Sequence, residues 1–158
     1  MSEKYPLHLM IKPEGLENFP LYIETQLSLL ETITDSERLF STRTILTPDE
    51  VEMIYPEASA PAVLKKYLCE HPTEHFFLLG DADIYDKAKA IKGKMDNKQG
   101  IRGTLQHVSK NHQFNFEKWQ NFVHSSDNII ESQPICSHFI KDPSRCNDCA
   151  AKSVCRTP

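Results

Sequence analysis

No stretch of this 158-residue chain is apolar over the length that a membrane crossing needs, and the opening MSEKYPLHLMIKPEG has no apolar run long enough for a signal peptide. The expected setting is therefore cytosolic. Charge of one sign is also missing. Lys and Arg number 18 against 22 Asp and Glu, a formal net charge of −4, which gives no reason to expect nucleic acid or an anionic membrane as the main partner. No internal repeat or low-complexity segment is visible. Cysteine is nearly absent before position 135, where only Cys69 stands, and four of the five cysteines follow it. In a reducing compartment such clustering points to metal rather than disulfides.

What is present is ordinary for a soluble globular protein: 39% hydrophobic and 25% charged residues. The length suits one domain, expected over residues 1–140, with a short Cys-bearing tail at 141–158. Leu7 to Lys12 reads as a buried strand, followed by a turn at Lys12-Pro13-Glu14-Gly15. Phe19 to Thr32 has apolar residues at helical spacing, with Pro20 in the first turn. Arg38 to Leu46 is a second strand. Thr47-Pro48-Asp49-Glu50 is a capping box with proline at the first helical position.

A turn-rich link from Tyr55 to Pro61 leads to a helix over about 62–70, then His75 to Leu79 forms a third strand. Asp83 caps a helix through Ile91, and Gly93 to Gly103 reads as a polar loop. Thr104 to Gln120 shows no clean period and is expected to be an irregular insertion with a helical end near Phe116 to Trp119. A short strand over 122–124 and a helix over 127–139 complete the domain. This order predicts an α+β, ferredoxin-like βαββαβ sandwich: a four-stranded antiparallel sheet with covering helices.

Several polar residues could serve phosphoryl chemistry. A neutral imidazole is a good nucleophile, and the phosphoramidate it forms stays reactive, which makes His124 a candidate. The transferring group needs cations and hydrogen-bond donors around it. Lys12 and Arg102 offer the cations, Tyr55 a hydroxyl and Asn121 an amide. Gly103 beside Arg102 permits close backbone approach to a ligand.

Lys12-Pro13-Glu14-Gly15, Tyr55, Ile101-Arg102-Gly103 and Asn121-Phe122-Val123-His124-Ser125-Ser126-Asp127 occur in the order of the nucleoside diphosphate kinases, which the chain resembles over about residues 7–139. The resemblance makes His124 the phosphate-carrying histidine and matches Lys12, Tyr55, Arg102 and Asn121 to the nucleotide-binding shell, with Ser126 and Asp127 in support. It implies magnesium–nucleotide binding and ping-pong transfer of the γ-phosphate of a nucleoside triphosphate to a nucleoside diphosphate. In that family the lysine and asparagine contact the sugar, and the arginine contacts phosphate. A homo-oligomer is implied as well.

The chain also departs from the family pattern. Ala60 stands nearest the base-stacking phenylalanine, Lys89 takes the place of a second arginine in the nucleotide-binding shell, and Met95 replaces a threonine. Ser125 follows the histidine in place of glycine. Cys136 occupies the place of the glutamate that orients the histidine, and the segment between Arg102 and Asn121 is longer. These departures keep open an alternative, a catalytically degenerate nucleotide-binding or regulatory protein on the same fold.

Cys136, Cys146, Cys149 and Cys155 give C-x9-C-x2-C-x5-C, with His138 as a spare ligand. Such a set can hold tetrahedral zinc, and the closing C-x2-C-x5-C is similar to the loop of some [4Fe–4S] modules. Zinc, a [4Fe–4S] cluster and free thiols all remain open here. Cys69 reads as a small core residue.

Overall fold

The computed structural model describes residues 3–96 and 98–141. β1 (Tyr5–Ile11) leads through α1 (Pro13–Asn18) and α2 (Pro20–Thr34) to β2 (Glu37–Thr44). Then follow α3 (Pro48–Ile54), α4 (Ala62–Leu68), β3 (Thr73–Gly80), α5 (Ile84–Lys92), α6 (Gly100–Asn111), β4 (Val123–Ser125) and α7 (Ile129–Ile140). The strands pair in the order β2-β3-β1-β4, every neighbour antiparallel. The expected α+β, ferredoxin-like architecture is the one observed.

Side chains alternate across each strand, so β1 feeds two cores. Leu7, Leu9 and Ile11 pack with Phe76, Leu78, α2, α5 and α6. Met10 points the other way and packs with Phe40, Phe77, α3, α4 and α7. Met10 is opposite His124 in the register, so His124 shares this second face.

Four local expectations are corrected. Pro13–Asn18 is a short helix rather than a turn, because Pro13 at its first position fits the helix and Gly15 lets it sit tight on β4. A Cβ on Gly15 would lie 2.8 Å from both the Phe122 carbonyl oxygen and Ile23 Cδ1. The stretch read as loop and irregular insertion holds α6. Ile101, Leu105 and Ser109 recur at four-residue spacing and are buried, while His107, Lys110 and Asn111 face water. The helical end placed at Phe116 to Trp119 is instead a turn. Strand β4 begins one residue later than expected, since Phe122 has a left-handed φ of 73°.

The capping box is formed in full. Glu50 N–H donates to Thr47 Oγ1 at 3.2 Å, and Thr47 N–H donates to Glu50 Oε1 at 3.0 Å. The other Glu50 oxygen meets His138 Nε2 at 2.9 Å, which ties α3 to α7. Tyr55, the C-cap residue of α3, is thereby fixed over the face that carries His124.

Candidate functional site

The end of β1 and the approach to β4 are stitched together by polar groups. Lys12 N–H donates to the Phe122 carbonyl at 2.8 Å. Phe122 N–H donates to buried Glu14 Oε1 at 3.0 Å, and Tyr67 Oη donates to Glu14 Oε2 at 3.1 Å. Burial pushes the Glu14 carboxyl up from the usual range. The Lys12 ammonium is only 1% exposed and donates to Asn121 Oδ1 at 2.6 Å and to the Trp119 carbonyl at 2.9 Å. It also lies 5.7 Å from the Tyr55 ring centroid.

Lys12, Asn121, Tyr55 and His124 are thus neighbours. The Tyr55 and His124 ring centroids are 4.7 Å apart, tilted by 51°. Tyr55 Oη is buried with no hydrogen-bond partner among the described residues, and burial holds its pKa above the ordinary value. Arg102 reaches the same strand from α6: its Nε and Nη2 both donate to the Val123 carbonyl, at 3.2 and 2.7 Å.

His124 lies half-buried on the short strand. Its pKa is held well below 6.5, first by burial and then by His8, Lys12, Lys92 and Arg102 nearby. The ring is therefore neutral, the form in which a nitrogen lone pair can attack. Among the described residues neither ring nitrogen has a hydrogen-bond partner.

Two cavities border these groups. One, of about 420 Å³, is lined by Ile54, Tyr55, His124, Ile130 and Pro134 among others. The other, of about 460 Å³, is lined by Lys89, Lys92, Lys94, Gln99 and Arg102. Asp127 lines both. Their sizes fall within the range of small-molecule sites. The first is largely apolar and the second is cationic. Ser126 is spent on the fold: its N–H donates to the His8 carbonyl at 3.0 Å and its Oγ accepts from His8 N–H at 3.1 Å.

Lys92 was not singled out in the sequence. It lies one helical turn beyond Lys89, beside Gly93, and its pKa is lowered to about 8 by burial and then by Arg102. Lys89 lies exposed at the rim. Lys92→Gln is therefore expected to weaken binding of a polyanionic probe, inorganic triphosphate, about 10- to 100-fold, and Lys89→Gln less than threefold. Calorimetric titration of the two variants checks this; equal losses would return Lys89 to the site.

The tail cysteines Cys146, Cys149 and Cys155 lie outside the described residues. Cys136 sits on α7 in the apolar cluster of Phe77 and Phe139, and burial pushes its thiol up to about 11. Among the described residues no three His, Cys, Asp or Glu side chains are placed to hold a metal ion. No helix among them is long and apolar enough to cross a membrane.

Neither a protein-family model nor a curated protein matches the chain. Solved structures do. A nucleoside diphosphate kinase from Encephalitozoon cuniculi superposes with a TM-score of 0.66 at 16% identity, covering 87% of this chain and 90% of that one. The chain has the nucleoside diphosphate kinase fold. The enzyme from Aquifex aeolicus gives a TM-score of 0.65 at 18% identity, covering 91% of this chain and 99% of that one. The enzyme from Borrelia burgdorferi, solved with vanadate and ADP bound, gives 0.62 at 16%, covering 84% and 86%. At these identities the likeness establishes the nucleoside diphosphate kinase fold alone, and the chemistry rests on the residues.

Proposed function

We propose that the protein transfers the γ-phosphoryl group of a nucleoside triphosphate to a nucleoside diphosphate through a phosphohistidine at His124. One observation carries the reading: a neutral imidazole stands at a cavity edge beside Tyr55, with Lys12, Lys92 and Arg102 near enough to depress its protonation. A neutral ring nitrogen attacks the γ-phosphorus. The bond from that phosphorus to the β–γ bridging oxygen breaks, and the electron pair leaves with the nucleoside diphosphate. A second nucleoside diphosphate then takes the phosphoryl group from the histidine.

In this reading Lys92 and Arg102 offset phosphate charge, Lys12 and Asn121 hold the sugar, and the Tyr55 hydroxyl finds its partner on the ligand. Magnesium arrives as part of the substrate, with Asp127 the carboxylate common to both cavities. The reading includes a homo-oligomer. Leu21, Leu29 and Ile33 support it, as an exposed apolar stripe at multiples of four residues along α2.

Incubation with magnesium and γ-labelled ATP is expected to give acid-labile label on the wild-type protein. His124→Ala should carry less than about 1% of it, since the nucleophile itself is gone. An unlabelled nucleoside diphosphate should then chase the label off. Label independent of His124 overturns the mechanism. A second reading, nucleotide binding without transfer, is favoured by the missing hydrogen-bond partner on the His124 ring and by apolar-packed Cys136 in the place of a carboxylate. Nucleotide binding with no label would select it.

A further inference from the structure

A polar chain crosses the sheet beneath His124. Thr73 Oγ1 donates to the Thr44 carbonyl at 3.2 Å, so its lone pair is what faces His75 Nε2 at 2.7 Å. With the Thr73 hydroxyl proton assigned to the Thr44 carbonyl, His75 carries its proton on Nε2 and its Nδ1 is an acceptor. That acceptor lies 2.9 Å from His8 Nε2, which must then be the N–H. The last nitrogen of the chain, His8 Nδ1, is left with a lone pair. It is fully buried and has no partner among the described residues.

A buried acceptor without a partner costs free energy and calls for an explanation. Its direction supplies one. The two imidazole nitrogens face opposite edges of the ring. His8 Nε2 faces His75 on β3, so Nδ1 faces away from β3. β4 flanks β1 on that other side, and His124 on β4 shares the face, its ring centroid 6.4 Å from that of His8. His8 and His75, already hydrogen-bonded, have centroids 5.2 Å apart. The gap to His124 is wider by roughly an ångström, which a small rotation of the half-buried His124 ring or one water closes.

We infer that His8 is the positioning residue of the site, its Nδ1 accepting the N–H of His124 and so fixing which nitrogen of His124 presents its lone pair to the phosphorus. The chain Thr44–Thr73–His75–His8 is the rigid support of that contact. When the far nitrogen of His124 bonds to phosphorus the ring becomes cationic, and its remaining N–H leans harder on the same lone pair. Burial pushes the His8 pKa down to about 3, so the lone pair stays available across the neutral range. Only the effect on rate rests on the phosphohistidine reading; the contact itself does not.

Ring-nitrogen NMR of isotope-labelled histidines tests it. In the wild-type protein His75 and His8 are expected to be protonated on Nε2, and His124 to hold a single tautomer. His8→Phe should scramble His124 between two tautomers and slow its labelling about 10- to 100-fold, the usual cost of losing a group that orients a ring. His8→Asn sets an amide oxygen where Nδ1 was and should keep the single tautomer and most of the rate. A proton on His8 Nδ1 in the wild-type protein overturns the inference, and so does an unchanged His124 tautomer in His8→Phe. The wild-type spectrum needs no variant, so a folding failure of His8→Phe leaves the test standing. Scrambled tautomers without any phosphorylation would support the contact while removing the phosphotransfer reading.

Discussion

On the proposed phosphohistidine mechanism, Arg102→Ala is expected to slow phosphoryl transfer from ATP to His124 by about 10³-fold, the scale of an arginine that offsets charge on a transferring phosphoryl group. Two roles meet in this side chain. Its guanidinium lines the cationic cavity with Lys92 and Lys94, and two of its N–H groups hold the Val123 carbonyl immediately before His124. A planar fork can grip a backbone carbonyl with one edge and phosphate with the other. An ammonium is a point donor and cannot do both, so Arg102→Lys should recover less than about tenfold of the loss. Single-turnover labelling of the three proteins makes the comparison. A loss under tenfold in Arg102→Ala would take this residue out of phosphate recognition and leave it as a strand anchor.

The second large effect concerns Lys12, one of the largest side chains the fold buries completely. Burial is the main cause that lowers its pKa from 10.5 to about 7; Glu14 opposes the fall, and Arg102 and Lys92 add to it. Unfolded, the lysine keeps its proton up to about 10.5, so between these values the unfolded chain binds more protons than the folded one. Stability should accordingly rise as pH rises from about 7 toward 10.5, by an amount on the order of 4 kcal/mol for this group. Lys12→Met removes that slope. Denaturant titrations at several pH values compare the two proteins, and equal slopes would show that Lys12 is solvated. On the proposed function, nucleotide binding probes the same ammonium from the other side. Phosphate charge favours protonated Lys12, so affinity should fall as pH rises above 7, and Lys12→Met should lose about 10- to 100-fold at pH 7.

Most of the fold could be read from the chain because its signals are local. The strands at Leu7 and His75 are short apolar runs, the one at Arg38 is rich in β-formers, and Thr47-Pro48-Asp49-Glu50 forms the cap its spacing predicts. Helix α6 was missed for a physical reason. Its buried face uses Gly103 and Ser109 beside Ile101 and Leu105, so close packing of small residues stands where a hydrophobic count looks for large ones. Residues Lys12, Tyr55, Asn121, His124 and Arg102 were singled out by type and order, and the fold places them together. Lys92 escaped because burial in the fold, not sequence context, separates it from Lys89. His8 left a fainter trace: an ionisable residue in an otherwise apolar strand, which calls for a partner. That partner, His75, is 67 residues away in the chain, and only the β1–β3 register joins them.

Strand β4 lies at the sheet edge, spans three residues and pairs with β1 alone. Its N-terminal approach is held by Glu14 and Lys12, and its carbonyl by Arg102. Such a segment can detach while β1, β2 and β3 stay paired, since the free energy of local opening need not reach that of global unfolding. Amide hydrogens of Val123 to Ser125 should therefore exchange ahead of those in β3. Ligand that bridges these anchors closes the segment, so occupancy becomes visible as slowed exchange at a strand it need not touch. The His124 imidazole then sits on the shortest strand of the sheet.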